Sequence, residues 1–274
     1  MLDGTVIYKM SGSGNDFVVV DGRSEPIEVW TPERIRAICA RGTGVGADGF
    51  VVLEPGSKPD AVRFHFFNSD GSRAPMCGNG ALCAARLACW LELAPADGMT
   101  LETDAGPVAA RCLPGDEERA ELSLPSPGEI TSPDIPLEAG ERSVHLTTVG
   151  VPHVVVLVED LASVPLPERG RELRSHAALA PAGANINFVA NGHRGWAMRT
   201  YERGVEAETL ACGTGAVASA AVLAHAGVAS LPLDVCTASG ALLTVSADLA
   251  ATGAVKDPRL AGQARLVFRA VLGA

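Results

Sequence analysis

The segment MCGNGALCAARLA, starting at Met76, returns as ACGTGAVASAAVLA, starting at Ala211, which sets Cys77 and Cys212 135 positions apart in a chain of 274 residues. The likeness runs upstream as well. An aromatic residue enters a polar segment before each cysteine, as FNSDGSRAPM in 67–76 and YERGVEAETLA in 201–211. A repeat at almost half the chain length restricts the fold to two halves built on one plan.

Each copy reads as a strand, a polar loop, and then Cys-Gly-x-Gly opening a helix rich in Ala and Leu. Short apolar runs bounded by Gly, Pro or Asn predict further strands: VIYKM, FVVVDG, FVVLEP, VRFHFF, PVAARCL, VHLTTV, HVVVLVED, INFVA, WAMRTY, LLTVSA and ARLVFRA. Strands outnumber helices, so the expected class is α+β, with two pseudo-symmetric domains and an active site in the cleft between them. The first domain is expected over 1–118, joined by a returning C-terminal strand at about 264–274, and the second over 119–263. The Pro- and Gly-rich stretch 123–140 reads as a loop at the start of the second half.

The repeat places both cysteines at helix N-termini. Oriented amides and the helix dipole there favour an anion, a thiolate included. The glycines that follow leave backbone N–H groups uncovered, and two such turns make a pair of anion cradles suited to a carboxylate. Removing the α-proton of an amino acid spreads negative charge into that carboxylate, which oriented N–H groups stabilise. A thiolate taking the proton from one face and a thiol returning one to the other would invert the centre. One Gly-flanked cysteine could be an inert buried thiol in a tight turn. A repeat that only preserved a turn would have little reason to keep cysteine in both copies.

Composition narrows the alternatives. A net charge of −10 argues against nucleic acid, which needs clustered Lys and Arg. The opening MLDGTVIYKM lacks a basic region followed by an apolar stretch, so no signal peptide is expected and the location is cytoplasmic. The Ala-rich stretch 211–229 reads as a buried helix and not a membrane span. Seven cysteines are an odd set without CxxC spacing, which argues against a disulfide framework and a zinc site, and no metal is expected. Cys39, Cys83, Cys89, Cys112 and Cys236 read as small buried hydrophobes. Pyridoxal phosphate would require a Schiff-base lysine, and Lys9, Lys58 and Lys256 are the only lysines; none sits in a convincing pocket motif, so no cofactor is expected.

The motifs KMSGSGNDF, RGTGVGADG, FNSDGSRAPMCGNGALC, VGVPH, ANINF and YERGVEAETLACGTGA occur in the order in which they stand in diaminopimelate epimerases, and over nearly the whole chain the sequence resembles that family. The resemblance implies two domains, each a small barrel of strands around a central helix. It gives Cys77 and Cys212 the roles of base and acid, and the carboxylate-holding backbone to Gly78, Asn79, Gly213 and Thr214. Asn15, Asn68, Asn185, Glu202 and Arg203 become the substrate contacts, for an amino acid with a second zwitterionic end. An Arg guanidinium can grip the distal carboxylate with two hydrogen bonds. His153 reads as orienting the site wall. A homodimer follows by family analogy.

Three positions depart from the family pattern. Val151 stands where Asn usually precedes Pro-His, and Ser13 and Gly42 replace Leu and His. Val151 cannot supply the hydrogen bond of Asn, so a racemase of another amino acid, such as histidine or a proline derivative, stays open. More distant alternatives are a hydrolase with a cysteine nucleophile activated by His153 and a non-catalytic binding protein. The hydrolase leaves one cysteine unexplained.

Overall fold

The parallel pairing of two apolar strands is the organising contact of each half, and it is made twice. In the computed structural model, which describes residues 3–193, 195–250 and 253–273, there are seventeen strands and four α-helices among the described residues. The chain divides into two units, Met1–Ser123 with Ala261–Ala274, and Leu124–Leu260. The sequence reading drew the boundaries at 118 and 264. The first division lies later because the strand following residue 118 pairs within the first unit.

In the first unit β1 (Val6–Gly12) pairs antiparallel with β2 (Asn15–Asp21), and β2 pairs parallel with β3 (Gly49–Pro55). The crossover carries α1 (Pro32–Cys39), capped by the Thr31 side chain with Pro32 following. Next come β4 (Ala61–Asn68), antiparallel to β3, the short β5 (Arg73–Ala74), and α2 (Gly78–Trp90). Three strands complete the run: β6 (Met99–Thr103) parallel to β4, then β7 (Gly106–Cys112) and β8 (Arg119–Ser123), each antiparallel to its predecessor.

The second unit repeats this order. Antiparallel β9 (Glu141–Val149) and β10 (Val151–Val158) precede α3 (Leu166–Arg174), and β11 (Asn185–Gly192) pairs parallel with β10. Then follow β12 (Gly195–Glu202), β13 (Ala207–Thr209), α4 (Gly213–His225), β14 (Leu233–Cys236) parallel to β12, and β15 (Leu242–Leu249). Residues 124–140 carry no regular element beyond one bridge from Thr131 to Leu146. The chain then passes through β16 (Val255–Gln263) to β17 (Arg265–Val271), which pairs antiparallel with β1.

Strands buried on both faces read as continuous apolar runs, and β2 is one. Phe17 and Val19 pack with α2, while Val18 and Val20 join the opposite cluster with Trp30, Ile35 and Ile38. The helix α2 touches β1–β4 and β6–β8, and α4 touches β9–β11, β14 and β15. Each is buried along most of its length, as expected for a largely apolar helix, with Arg86 half-buried and Trp90 and His225 exposed at the C-terminal ends. Ala81, Ala84, Ala85 and Ala88 in α2, and Ala216, Ala218, Ala220 and Ala221 in α4, let the strands close tightly about the axis. No helix among the described residues is long and apolar enough to cross a membrane.

Leu82 is fully buried at the centre of the first cluster. Leu82→Ala is expected to destabilise the protein by about 2–5 kcal/mol, the range for an uncompensated core truncation, measured as a shift of the urea unfolding midpoint.

Candidate active site

Both cysteines are N-cap residues in extended backbone: Cys77 has φ −139° and ψ 119° and opens α2, and Cys212 has φ −131° and ψ 108° and opens α4. The first intrahelical bonds run from Ala81 N–H to the Cys77 carbonyl, 2.8 Å, and from Ala216 N–H to the Cys212 carbonyl, 2.9 Å. The amides of Gly78, Asn79 and Gly80, and of Gly213, Thr214 and Gly215, therefore precede the first residue with an i−4 acceptor. Such amides, at the positive end of a helix, suit an anion. Cys212 is buried and its Sγ lies 3.7 Å from Thr214 Oγ1. Cys77 is half-buried.

The second glycine of each motif differs in what it excludes. A Cβ on Gly215 would lie 2.3 Å from Asn187 Oδ1 and 3.2 Å from Cys212 Sγ, so only glycine fits there. A Cβ on Gly80 would meet its nearest atoms, on Cys77, Phe17 and Phe64, at 3.5–3.6 Å, which is ordinary contact.

In the first unit the predicted contacts Asn15 and Asn79 are joined: Asn79 Nδ2 donates to Asn15 Oδ1 at 2.7 Å, and Asn15 Nδ2 donates to Asp48 Oδ2 at 3.0 Å. Arg41 bridges Asp48 and Asp16, at 2.9 and 2.6 Å, and Lys9 holds Asp16 at 2.6 Å. Lys9 also donates to the Gly46 carbonyl, so its ammonium group is committed to structure. The two cations hold the Asp16 carboxyl below the usual carboxylate range against the opposing effect of burial. Asn68, at the end of β4, donates to Ser72 Oγ at 3.0 Å within a turn. Arg41 and Asp48 were not singled out in the sequence; their motif RGTGVGADG was, and a charged pair inside a Gly-rich loop was the available signal.

In the second unit Asn185 begins β11 and its Oδ1 accepts from Arg203 N–H at 2.8 Å. Glu202 accepts from Thr209 Oγ1 at 2.7 Å, and burial raises its carboxyl pKa. The Arg203 guanidinium reaches the Ala182 carbonyl at 3.4 Å. Glu202 and Arg203 form no ion pair with each other among the described residues.

His153 is fully buried at the start of β10, beside Asn185 in the parallel register. Asn187, two residues along β11 and also fully buried, accepts from Thr200 Oγ1 at 3.0 Å. Its Nδ2 donates to the Val154 carbonyl at 3.0 Å and faces His153 Nδ1 at 3.2 Å. With the amide so fixed, Nδ1 is the acceptor and the ring proton sits on Nε2, a buried atom without a hydrogen-bond partner. Burial first, and then the charge of Arg203, lower the His153 pKa to about 4. Asn187 and Thr200 escaped the sequence reading. Two Asn at alternate positions of one strand, a rare pattern in strands, was the signal for Asn187.

Among the described residues no group of three or more His, Cys, Asp or Glu is placed to hold a metal ion. The arrangement places, in each unit, a thiol at a helix start whose first amides have no intrahelical acceptor, with polar side chains alongside.

Two consequences are measurable. Gly215→Ala is expected to lower stability by about 1–3 kcal/mol through overpacking, and Gly80→Ala to change it by less than about 0.5 kcal/mol, both read from thermal melts. For His153 the folded pKa lies below the unfolded value, so the unfolded chain binds more protons between them, and stability falls as pH drops from 6.5 towards 4. His153→Gln should flatten that fall by up to about 1.4 kcal/mol per pH unit, measured by denaturant unfolding across the interval.

The sequence profile of the diaminopimelate epimerase family matches residues 7–122 and 145–256. The chain is 43% identical to the diaminopimelate epimerase of Gemmatimonas aurantiaca over 274 aligned positions, covering 95% of this chain and 96% of the relative. It is 41% identical to that of Aquifex aeolicus, over 87% and 88% of the two chains. Among solved structures, a predicted epimerase from Pseudomonas aeruginosa superposes with a TM-score of 0.69 at 20% identity, covering 98% and 99%. A hydroxyproline epimerase from Agrobacterium vitis does so at 0.64 and 18%, covering 98% and 93%. These structures share the fold; the match to the family profile and the sequence relatives go further, and the chain belongs to the diaminopimelate epimerase family.

Proposed function

We propose that this protein is an isomerase that interconverts LL- and meso-diaminopimelate, a step of lysine and peptidoglycan precursor synthesis, with Cys77 and Cys212 as the proton-transferring pair. The observation that carries this reading is the repeated one: in both units a cysteine caps the start of a buried helix whose first amides lack intrahelical acceptors. Family membership supplies the substrate.

The chemistry follows from those helix starts. The substrate α-carboxylate takes the amides of Gly78, Asn79, Gly213 and Thr214. Charge leaving the α-carbon flows into that carboxylate and is met by donors already in place. One cysteine, as thiolate, removes the α-proton. The other, as thiol, delivers a proton to the opposite face, and for the reverse stereoisomer the roles exchange. Asn15, Asn68, Asn185, Glu202 and Arg203 hold the ammonium groups and the distal carboxylate. His153, neutral and fixed by Asn187, orients the wall of the site. No cofactor takes part in this scheme. The enzyme works as a cytoplasmic homodimer.

Val151 favours a second reading, racemisation of a different amino acid, because it cannot make the hydrogen bond that Asn would give a distal group. One experiment separates the two. The purified protein is incubated in deuterated water with LL-diaminopimelate and, separately, with L-histidine, L-proline and trans-4-hydroxy-L-proline, and α-deuterium and chirality are followed. Rapid exchange with diaminopimelate alone is expected; exchange confined to another amino acid would reassign the substrate, and none with any would sink the racemase reading. Cys77→Ala and Cys212→Ala should each lower epimerisation by at least about a hundredfold, and near-normal turnover in either variant would remove that cysteine from the mechanism.

A further inference from the structure

The hydrogen bonds that end at Asn79 have a direction, and a carboxylate sets it. An ionised Asp can only accept. Asp48, which accepts at Oδ1 from Arg41 at 2.9 Å, therefore requires Asn15 to present its Nδ2, at 3.0 Å. Asn15 must then turn Oδ1 towards Asn79, which presents its own Nδ2 at 2.7 Å. The far end of the chain is left as an acceptor. That end, Asn79 Oδ1, is buried and has no hydrogen-bond partner, and Asn79 itself is only 5% exposed. It lies in the first turn of α2, two residues from Cys77.

The carboxylates are themselves held. Asp16 and Asp48 each receive a backbone N–H from the other, at 3.1 and 3.2 Å, which brings two negative charges together. Arg41 spans both, and Lys9 pairs with Asp16. Two carboxylates thus face two cations, and every hydrogen bond that Asp48 makes through its side chain is one it accepts, from Arg41, Asn15 and the Asp16 amide.

We propose that Asp48, clamped by Arg41, is a positioning residue that fixes the polarity of the Asn15–Asn79 amide pair so that a carbonyl oxygen awaits the substrate ammonium group at the start of α2. The backbone amides of that turn are donors and suit the carboxylate. An ammonium group has only donors, and needs the opposite polarity a bond away. An amide NH2 in the same place would repel it. This inference rests on the amino-acid epimerase reading and adds what orients the contact.

The test is to reverse the polarity without removing the side chains. Asp48→Asn can donate to Asn15 Oδ1, which lets both amides turn and leaves Asn79 Nδ2 at the free end. Asp48→Glu stays acceptor-only. For Asp48→Asn, KM for diaminopimelate is expected to rise at least about tenfold, the loss of one charge-assisted hydrogen bond, with kcat changed less than about threefold. Competitive inhibition by pimelate, which has the carboxylates without the ammonium groups, should stay within about twofold of wild type. Asp48→Glu should recover most of the KM. Arg41→Ala, which unclamps Asp48, should raise KM in the same selective way and serves if Asp48→Asn does not fold. An unchanged KM in Asp48→Asn, an equal loss for pimelate and substrate, or Asp48→Glu as weak as Asp48→Asn would each overturn the proposal. Failure of the functional reading looks different: it appears in the wild-type enzyme, as no turnover of any amino acid.

Discussion

The structure depends on the burial of two short, largely apolar helices. The helices α2 and α4 bury most of their residues, and a helix so largely apolar must be enclosed. The strands of each unit provide the enclosure. Because the flanks are mostly covered, the start is where the unpaired amides, the cysteine and the small glycines are found. The requirement that creates the core also fixes the place of chemistry: a helix that must hide its sides can offer a ligand only its tip.

On this common frame the two units have diverged at matched positions. The registers align Phe17 with His153, Val51 with Asn187, and Phe66 with Thr200. In the first unit these residues form an apolar bed, with the rings of Phe17 and Phe66 edge to face at 6.2 Å. In the second they form the hydrogen-bonded set Thr200–Asn187–His153. The polar bed explains the obligatory glycine: Asn187 occupies the volume that a side chain at 215 would need. The second glycine of one motif therefore lies over hydrocarbon and that of the other over a hydrogen-bonded set, so the two cysteines stand in unlike surroundings despite their shared motif.

The duplication, the two helix starts and most strands were legible because each leaves a local trace: a repeated word, a glycine after a cysteine, an alternating or continuous apolar run. Elements without such a trace were missed. β14 has four residues, and β16 contains Pro258 and Gly262, which argue against a strand in isolation. The helix α3 carries Gly170 at its centre, where a Cβ would strike Tyr201 at 2.7 Å; the residue that reads as a helix breaker is there to let a ring approach. The Asn at 15, 79 and 185 were legible through their motifs, but what aligns them was not. Asp48 lies 33 positions from Asn15, and Thr200 lies 13 from Asn187; such pairings exist only once strands have found their register.

The pairing of β17 with β1 has a consequence for synthesis. Val6 lies opposite Val271, and Gly4 and Leu272 are joined by a backbone hydrogen bond, so the first unit is assembled from the two extremes of the described chain. The second unit is continuous, from Leu124 to Leu260. On the ribosome the second half is therefore the one whose strands are all present first, while the half made earliest keeps an open edge at β1 until the last strand emerges. The units thus complete their sets of strands in the reverse of the order in which they begin, and loss of β17 would uncover β1 at the other extreme of the described chain.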